Sequence, residues 1–390
     1  MKILAIETSC DETAVSIVEA VGNFPTATYE VLGTGLYSQT DIHAEFGGVF
    51  PMMAKRAHAE NLIPMLQKAL EEAELLEKGG GTFKDEIVTE TKHLLERESV
   101  LFESICAFLE QYTLPEFDCI AVTNGPGLAP ALWVGVNFAK ALSKITGIPV
   151  VPVNHMEGHI LASIFDVVED DALASVSFPA VALLISGGHT ELVLMTDWAR
   201  YEKIGQTRDD AVGEAIDKVA RLLDIPYPGG PLLDKKALEA ERRQLPAYAP
   251  DLPRPMLSSG DFDMSFSGLK TSVRYLLDGK TLTEDERTAF ARDFMAAVCD
   301  VLLAKTSAAI TEHGCKTCIV GGGVSASSFL RGRFNKHFAE ELSDCELYFP
   351  DPALSTDNAI MIALAGHAHI DTKRTAKSVE RIEADGNKSL

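Results

Sequence analysis

The stretch Lys2-Ile-Leu-Ala-Ile-Glu-Thr-Ser-Cys-Asp-Glu-Thr-Ala-Val-Ser-Ile-Val18 predicts a strand, a short polar turn and a second strand. A related stretch, Ala180-Val-Ala-Leu-Leu-Ile-Ser-Gly-Gly-His-Thr-Glu-Leu-Val-Leu194, repeats this pattern. In both, an apolar run breaks into small polar residues, reaches a threonine (Thr13 or Thr190) and resumes as an apolar run. The two copies lie almost half the chain apart, which indicates two pseudo-equivalent domains rather than a short-period repeat.

Each half of the chain continues with strands that alternate with helices. Asp118-Cys-Ile-Ala-Val122 predicts a strand that runs into the turn Asn124-Gly-Pro-Gly127 and then into a helix over 131–144. Lys316-Thr-Cys-Ile-Val320 likewise runs into Gly321-Gly-Gly323, and another helix follows. The order of strand, glycine turn and helix is typical of α/β proteins, and we predict that fold class for both halves.

The chain of 390 residues is long enough for two domains. We predict a first α/β lobe over 1–150 with a helical insertion at about 78–112, a second α/β lobe over 151–370, and a charged, disordered tail over 371–390. The insertion is predicted to form one long helix over 85–112. We expect its apolar stripe to pack on the main body, with a partner-binding helix as the alternative; the stripe consists of Leu94, Leu101, Ile105 and Phe108.

The composition excludes several classes of protein. A net charge of −22 argues against a large basic surface, so a nucleic acid would be held locally or with a partner's help. The 7 cysteines are dispersed and fit reduced thiols, with Cys315 and Cys318 expected to be buried beside a strand. No apolar stretch approaches the roughly 20 residues that span a membrane, and the N-terminus does not resemble a secretion signal. We therefore expect a cytoplasmic protein with no membrane partner.

Two histidines spaced four residues apart predict a metal site. His155 and His159 share one face of a helix, so both imidazoles can converge on one ion. Asp357 in Leu354-Ser-Thr-Asp357 offers a third ligand. Neutral imidazoles suit zinc or iron, and an added carboxylate with open positions is typical of a catalytic site. An ordinary pair of packed histidines is the alternative.

Glycine turns after strands predict a nucleotide site. Gly187-Gly188, Gly229-Gly230 and Gly321-Gly-Gly323 would let backbone N–H groups approach phosphates, and together they indicate a nucleotide held between the two lobes. Asp11 and Glu12, in the first turn, could hold a metal-bound water or orient a nucleophile, or they could simply cap the turn.

Other motifs for catalysis and nucleotide binding are missing from the sequence. Gly279-Lys-Thr281 mimics the end of a Walker A motif, but Arg274 stands where its first glycine must be. The dinucleotide-binding glycine pattern, the zincin H-E-x-x-H and the hydrolase G-x-S-x-G do not occur in the required contexts. Asp217 lies on a helix predicted over 209–223. The ordinary explanation for an aspartate at this position is an exposed ion pair with Arg221, four residues further along the helix.

Nine motifs in order nevertheless carry a family resemblance over nearly the whole chain except the insertion and the tail. The sequence closely resembles the universal tRNA N6-adenosine threonylcarbamoyltransferase family, of bacterial type, formerly described as O-sialoglycoprotein endopeptidases. The motifs are Ile6-Glu-Thr-Ser-Cys-Asp-Glu-Thr13, 43–58, Asn124-Gly-Pro-Gly127, His155-Met-Glu-Gly-His159, Ser186-Gly-Gly-His-Thr190, Tyr227-Pro-Gly-Gly230, Phe266-Ser-Gly-Leu-Lys270, Gly322-Gly-Val-Ser325 and Ser355-Thr-Asp357.

The resemblance implies an actin/Hsp70/sugar-kinase type of fold, with two duplicated α/β lobes and a nucleotide and metal cleft between them. It implies transfer of threonylcarbamoyl from threonylcarbamoyl-AMP to N6 of the adenosine 3′ of the anticodon, in tRNAs that read codons beginning with A. It also implies a non-catalytic paralogue and a small P-loop ATPase as partners.

The same resemblance assigns roles to individual residues. His155, His159 and Asp357 would bind one divalent metal ion, Fe²⁺ or alternatively Zn²⁺, and Asp11 and Glu12 would lie near the reacting group. The adenylate would contact Leu184, Ile185, Ser186, Gly187, Gly188, Asp217 and Gly230. Ser327 stands where the family usually has an adenosine-binding asparagine, and serine reaches less far.

Two other functions are compatible with the fold type. An ATP-dependent small-molecule kinase of the same superfamily would use the glycine turns but would not need the two histidines and Asp357. A non-catalytic scaffold would be expected to have lost those three residues, which are intact here.

Overall fold

The structure, a computed structural model, describes residues 1–81, 85–166, 171–375 and 377–390. Residues 82–84 of the predicted insertion, 167–170 of the predicted second lobe and 376 of the predicted tail lie outside the described residues.

The described chain divides into two compact units. The first comprises Met1–Ala174 and Asp357–Leu390, and the second comprises Ser175–Thr356. This division differs from the predicted boundary after residue 150, because the chain returns to the first unit at Asp357. The returning helix, Ala359–Ala368, packs against the first unit's strands, and a glycine at 366 permits the approach: a Cβ there would lie 2.5 Å from the Cβ of Ala121.

The strands are β1 (Lys2–Glu7), β2 (Glu12–Val21), β3 (Thr28–Ser38), β4 (Glu77–Lys78), β5 (Tyr112–Thr113), β6 (Cys119–Gly125), β7 (Val150–Asn154), β8 (Phe165–Asp166), β9 (Ala172–Leu173), β10 (Ala180–Ile185), β11 (Thr190–Asp197), β12 (Arg200–Gln206), β13 (Thr317–Gly321) and β14 (Glu346–Tyr348). The α-helices are α1 (Thr40–Ala44), α2 (Pro51–Glu72), α3 (Asp85–Leu94), α4 (Ser99–Gln111), α5 (Ala129–Thr146), α6 (His155–Ser163), α7 (Val212–Leu222), α8 (Gly230–Arg242), α9 (Ser267–Leu277), α10 (Glu284–His313), α11 (Ser328–Glu341) and α12 (Ala359–Ala368). Short 3-10 helices cover Gly323–Ala326, Pro352–Leu354, Ile370–Thr372 and Val379–Arg381.

The sheet of the first unit has the strand order β7-β6-β1-β2-β3-β9-β8. Strands β1, β2 and β3 pair antiparallel, whereas β6 and β7 add on in parallel. Parallel strands need a crossover, which α5 supplies between β6 and β7. The parallel arrangement brings the carboxyl ends of β1, β6 and β7 to one edge of the sheet.

The sheet of the second unit has the order β12-β11-β10-β13-β14, which matches the order β3-β2-β1-β6-β7 in the first. Its strands β10, β11 and β12 are antiparallel, and β13 and β14 are parallel to β10. The same topology in both units confirms the duplication that the repeated strand–turn–strand sequence predicted. The α/β class with two duplicated lobes is therefore confirmed.

Helix α10 forms the centre of the second unit's core. A capping box fixes its start, with Thr283 and Glu286 exchanging side-chain and backbone hydrogen bonds. Among the described residues, α10 is the helix long and apolar enough to cross a membrane, and 67% of its apolar window is buried. This corrects the expectation that no stretch reaches that length. Burial of side chains such as Phe290 and Phe294 in the core accounts for the composition.

The insertion forms two helices, α3 and α4, instead of the single helix predicted over 85–112. The break follows Leu94, and the carboxylate of Glu98, which precedes α4, is buried against Lys55 at 2.7 Å. The expected packing on the main body is confirmed, because Leu101, Ile105 and Phe108 are buried in the core of the first unit.

The described part of the predicted disordered tail packs on the first unit. Val379 and Ile382 are buried in its core, and Arg374 forms an antiparallel bridge with Val150. The expectation of disorder was wrong because these two apolar residues are spaced to reach the core despite the charged surroundings. Backbone groups of the neighbouring tail residues also find partners, as described below.

Candidate functional site

Helix α6 presents both predicted histidines from the end of a buried strand. Asn154 ends β7 and caps the helix, its side-chain oxygen accepting a hydrogen bond from the backbone N–H of Met156 at 2.9 Å. His155 and His159 occupy one face, with ring centroids 4.7 Å apart. Both are almost fully buried, at 6% and 1% exposure. The helix predicted from their spacing is therefore present, and it begins at the first histidine.

Asp357 completes the cluster from the segment that leads into α12. Its Oδ1 lies 3.4 Å from Nε2 of His155 and 3.1 Å from Nε2 of His159. The ligand atoms of the three residues lie within 4.8 Å of one another. The Asp357 side chain remains 18% exposed, so the cluster has one accessible side. The fold thus brings Asp357 into direct contact with histidines that lie almost 200 positions earlier in the sequence.

A carboxylate that the sequence did not single out orients the first histidine. Glu7, at the end of β1, is fully buried, and its Oε2 lies 3.2 Å from Nδ1 of His155. The same carboxylate accepts hydrogen bonds from the backbone N–H of Ser9 and the hydroxyl of Thr123. Nδ1–H of His155 donates to Glu7, and Nε2 faces Asp357. Nε2 is therefore the nitrogen that can give up its proton and ligate a metal, and the Nδ1–H tautomer that Glu7 holds is the one such a ligand requires.

The electrostatics of the cluster favour a cationic occupant. Burial opposes protonation of His155, but Asp357 and Glu7 raise its pKa well above the ordinary value. Burial likewise opposes ionisation of Asp357, but His155 and the hydrogen bonds from both histidines hold its pKa well below the usual range. The buried carboxylate of Glu7 and the partly exposed carboxylate of Asp357 therefore flank His155, and positive charge is stabilised there.

The donor set fits a divalent cation such as Fe²⁺ or Zn²⁺. Two imidazole nitrogens and one carboxylate oxygen are ligands of the kind that these ions take in catalytic sites, and three protein ligands leave a coordination position for substrate. The Glu7–His155 contact adds the carboxylate that commonly supports a ligating histidine.

Asp11, in the turn after β1, and Glu12, the first residue of β2, form a hydrogen-bonded carboxyl pair. Burial and the neighbouring charge of Asp357 raise the pKa of Asp11. Burial, Asp11 and Asp357 raise the pKa of Glu12 well above its ordinary value. The adjacent Cys10 thiol also has a raised pKa, first from burial and then from Asp11, so it remains protonated. The pair is suited to proton transfer, whereas Cys10 is not suited to act as a thiolate nucleophile.

The second unit contains a separate cavity of about 310 Å³ lined by glycine turns. Of the predicted substrate-binding residues, Gly187, Asp217, Gly230 and Ser327 line it. Asp217 also accepts a hydrogen bond from the backbone N–H of Gly229 at 2.8 Å, which fixes the turn before α8. A space of this size, with backbone and carboxylate groups around it, suits a nucleoside.

Four other predicted residues contribute to the framework of this cavity and are not among its lining residues. Leu184 and Ile185 are fully buried in β10. The hydroxyl of Ser186 accepts a hydrogen bond from the backbone N–H of His189 at 3.0 Å and so closes the turn that contains Gly188. These residues shape the glycine turn rather than line the space it borders.

Ser327, the departure from the family pattern, is already engaged within the protein. Its hydroxyl donates to Asp234 and accepts from the backbone N–H of Leu330 at 3.1 Å, which caps α11. Asp234 lines the same cavity and also accepts from the backbone N–H of Phe329 at 3.1 Å. Asp234 was missed in the sequence because a single aspartate at the start of a helix has many ordinary explanations.

These features define the class: a two-unit α/β protein with a buried His/His/Asp cluster of metal-site type in one unit and a glycine-lined cavity in the other. A sequence model of TsaD, tRNA N6-adenosine threonylcarbamoyltransferase, matches residues 30–78 and 91–364. The chain belongs to that family. The match leaves out residues 1–29, 79–90 and 365–390, and 79–90 fall in the insertion.

Relatives named tRNA N6-adenosine threonylcarbamoyltransferase are similar to this chain over nearly its full length. The protein of Geotalea uraniireducens is 39% identical over 372 residues, 95% of this chain and 92% of its own. That of Aromatoleum aromaticum is 40% identical over 366 residues, 94% and 90% of the two chains. Among solved structures, T. kodakarensis HypF aligns with 70% of this chain and 43% of its own at 14% identity and a TM-score of 0.48. The family assignment rests on the sequence matches.

Proposed function

We propose that this chain transfers a threonylcarbamoyl group from threonylcarbamoyl-AMP to N6 of the adenosine 3′ of the anticodon, in tRNAs that read codons beginning with A. Family membership supports the reaction class. The observation that carries the proposal is the convergence of two buried histidines, His155 and His159, on Asp357, which a nucleotide-dependent kinase of this fold would not need.

We propose that these three residues hold one divalent cation, Fe²⁺ or Zn²⁺. When bound, such a cation supplies Lewis-acid polarisation of a carbonyl oxygen and so stabilises charge that develops during acyl transfer. Glu7 holds the imidazole of His155 in the ligating tautomer, and the accessible side of Asp357 leaves room for substrate.

The carboxyl pair Asp11 and Glu12 is assigned to the proton of the attacking amine. N6 of adenosine is a weak nucleophile and must lose a proton during the transfer. A carboxylate whose pKa is raised by burial is a stronger base than an exposed one, and the partner carboxyl shares its hydrogen bond. Because Cys10 remains a protonated thiol, direct attack by the amine on the activated donor is favoured over a covalent enzyme intermediate.

The cavity of the second unit is assigned to the nucleoside of the donor. Asp217 and the glycine turns present a hydrogen-bonding carboxylate and open backbone beside apolar side chains such as Ile216. Fixing the adenylate there would hold the leaving AMP in one orientation, which lowers the entropy cost of transfer.

We propose tRNA and threonylcarbamoyl-AMP as substrates and two bacterial proteins as partners, a non-catalytic paralogue and a small P-loop ATPase. The net charge of −22 supports a need for partners, because a strongly acidic chain by itself repels the tRNA backbone.

Mass spectrometry of tRNA nucleosides from depleted cells tests the proposal. Cells lacking this protein are complemented with wild type, with His159→Ala, or with His93→Ala, which alters an exposed histidine of the insertion. Wild type and His93→Ala should restore threonylcarbamoyladenosine, whereas His159→Ala should not. Unchanged modification after depletion would refute the transfer function, and nucleotide turnover with small-molecule acceptors would then support the kinase alternative.

A further inference from the structure

The end of the chain is bound to the first unit along residues 383–389, which we name the C-terminal strap. The backbone N–H of Asp385 donates to the carbonyl of Asn124 at 2.8 Å, and the Asn124 side chain donates back to the carbonyl of Glu383 at 3.1 Å. The ammonium of Lys388 donates to the Asn124 side-chain oxygen at 2.6 Å. Asn124 therefore joins the strap to the end of β6 through its backbone and both ends of its amide.

The strap approaches the backbone at the end of β6 so closely that only glycine fits at the points of contact. A Cβ on Gly125 would lie 2.0 Å from the carbonyl oxygen of Asp385, and one on Gly386 would lie 2.7 Å from the carbonyl oxygen of Gly127. The N–H of Gly127 also donates to the carbonyl of Gly386 at 3.2 Å. Such close approach fixes the position of the strap more narrowly than a surface tail requires.

The strap also reaches the residue that starts the histidine helix. Asn154 pairs with Gly125 across β6 and β7, so the strap crosses the ends of both strands. The Asn154 side-chain nitrogen donates to the carbonyl of Ser389 at 3.1 Å, while its oxygen caps α6 by accepting from the N–H of Met156. Both ends of a largely buried amide are thus used, one on the strap and the other on the helix.

We propose that the C-terminal strap is a positioning element for the metal centre and that Asn154 is the residue through which it acts. The inference rests on the metal site of the proposed function. His155 follows Asn154 directly, and a metal site tolerates displacements of only about 0.5 Å before ligand geometry suffers. Fixing the side chain of Asn154 fixes the first turn of α6, and with it the direction of the His155 imidazole. Loss of the strap leaves the ligands present but less well aligned.

Cobalt titration of the chelator-treated protein tests the proposal, because the visible absorption of Co²⁺ reports ligation without any need for activity. Asn154→Ser keeps a cap for α6 but removes the donor to Ser389. A second variant ends at Lys388, so it lacks the Ser389 carbonyl but keeps both Asn154 and the hydrogen bond from Lys388 to Asn124. Each should weaken Co²⁺ binding about 10-fold, as loss of a group that orients a ligand does.

The double variant and a matched control sharpen the test. If Asn154 and the strap act through one contact, combining the two changes should weaken binding no further than either alone. Asn387→Ser makes the same replacement at an exposed position of the strap and should bind Co²⁺ like wild type. Asn154→Ser decides the question if the truncated chain does not fold.

The outcomes separate this inference from the proposed function. Wild-type Co²⁺ affinity in Asn154→Ser and in the truncated chain, even with a lower urea midpoint, would make the strap a structural clamp only and overturn the inference. If wild type itself binds no Co²⁺, the metal centre of the proposed function fails and the inference falls with it.

Discussion

Replacing Glu7 by Gln tests how the metal centre is built. The backbone N–H of Ser9 is a donor that cannot move, so the new side-chain carbonyl is expected to take the place of the carboxylate oxygen facing it. The amide nitrogen then faces Nδ1 of His155, where Glu7 has an acceptor at 3.2 Å. An N–H there forces Nδ1 to accept, and the imidazole proton moves to Nε2. The nitrogen that faces Asp357 thereby loses its lone pair.

The expected loss of affinity follows from that switch of tautomer. Substitution of a carboxylate that orients a ligating histidine typically costs 10–100-fold in metal affinity, which corresponds to about 1.4–2.7 kcal/mol. Full burial of Glu7 places its replacement in the upper part of that range, because water cannot relieve the mismatched donors.

Isothermal titration with Zn²⁺ and absorption titration with Co²⁺ measure the effect. Glu98→Gln is the matched control, since Glu98 is also a buried carboxylate of the first unit but pairs with Lys55 at 2.7 Å. Both variants should lose stability towards urea, and only Glu7→Gln should lose metal affinity. Unchanged metal affinity in Glu7→Gln would refute the orienting role that we give this residue.

Three further predictions concern stability and are measured by urea unfolding. Ser327→Ala should lower the free energy of unfolding by about 1 kcal/mol because α11 loses its cap, whereas Ser327→Asn should not, and equal losses would contradict the capping role. Phe108→Ala should cost about 3 kcal/mol because its ring is buried against the main body, and a cost near zero would mean that the insertion is separable. Burial lowers the pKa of His58 to about 4, below the ordinary 6.5. As the pH falls, His58 is therefore protonated in the unfolded chain before it is protonated in the folded one. The free energy of unfolding has its full value above pH 6.5 and falls by up to ~3 kcal/mol as the pH drops from there through about 4. His58→Gln should flatten that acid slope, and an unaltered slope would show that other groups cause it.

The fold class could be predicted because the chain contains its main pattern twice. Apolar runs that break at small polar residues appear at 2–18 and 180–194. Each forms an antiparallel strand pair, and the two pairs occupy equivalent positions in the sheets of their units. Local patterns also placed α5 and α7 within a few residues. The unit boundary and the end of the chain could not be predicted in the same way. They depend on α12 returning to the first unit and on Val379 and Ile382 reaching its core, and such contacts join residues far apart in sequence.

By itself the sequence determined the family, the two duplicated α/β units and the identity of the three candidate metal ligands. The family follows from motifs in a fixed order, and the duplicated units follow from the repeated local periodicity of the strands and helices. The candidate ligands follow from the i and i+4 spacing of His155 and His159 and from the motif that contains Asp357. Only the tertiary structure decided which groups support them: Glu7 behind His155, Asp234 beside Ser327, and the strap against Asn154. Each of these is a hydrogen bond between residues more than 90 positions apart. A polar side chain in a sequence carries no sign of its partner until folding has excluded water and left one acceptor or donor within reach.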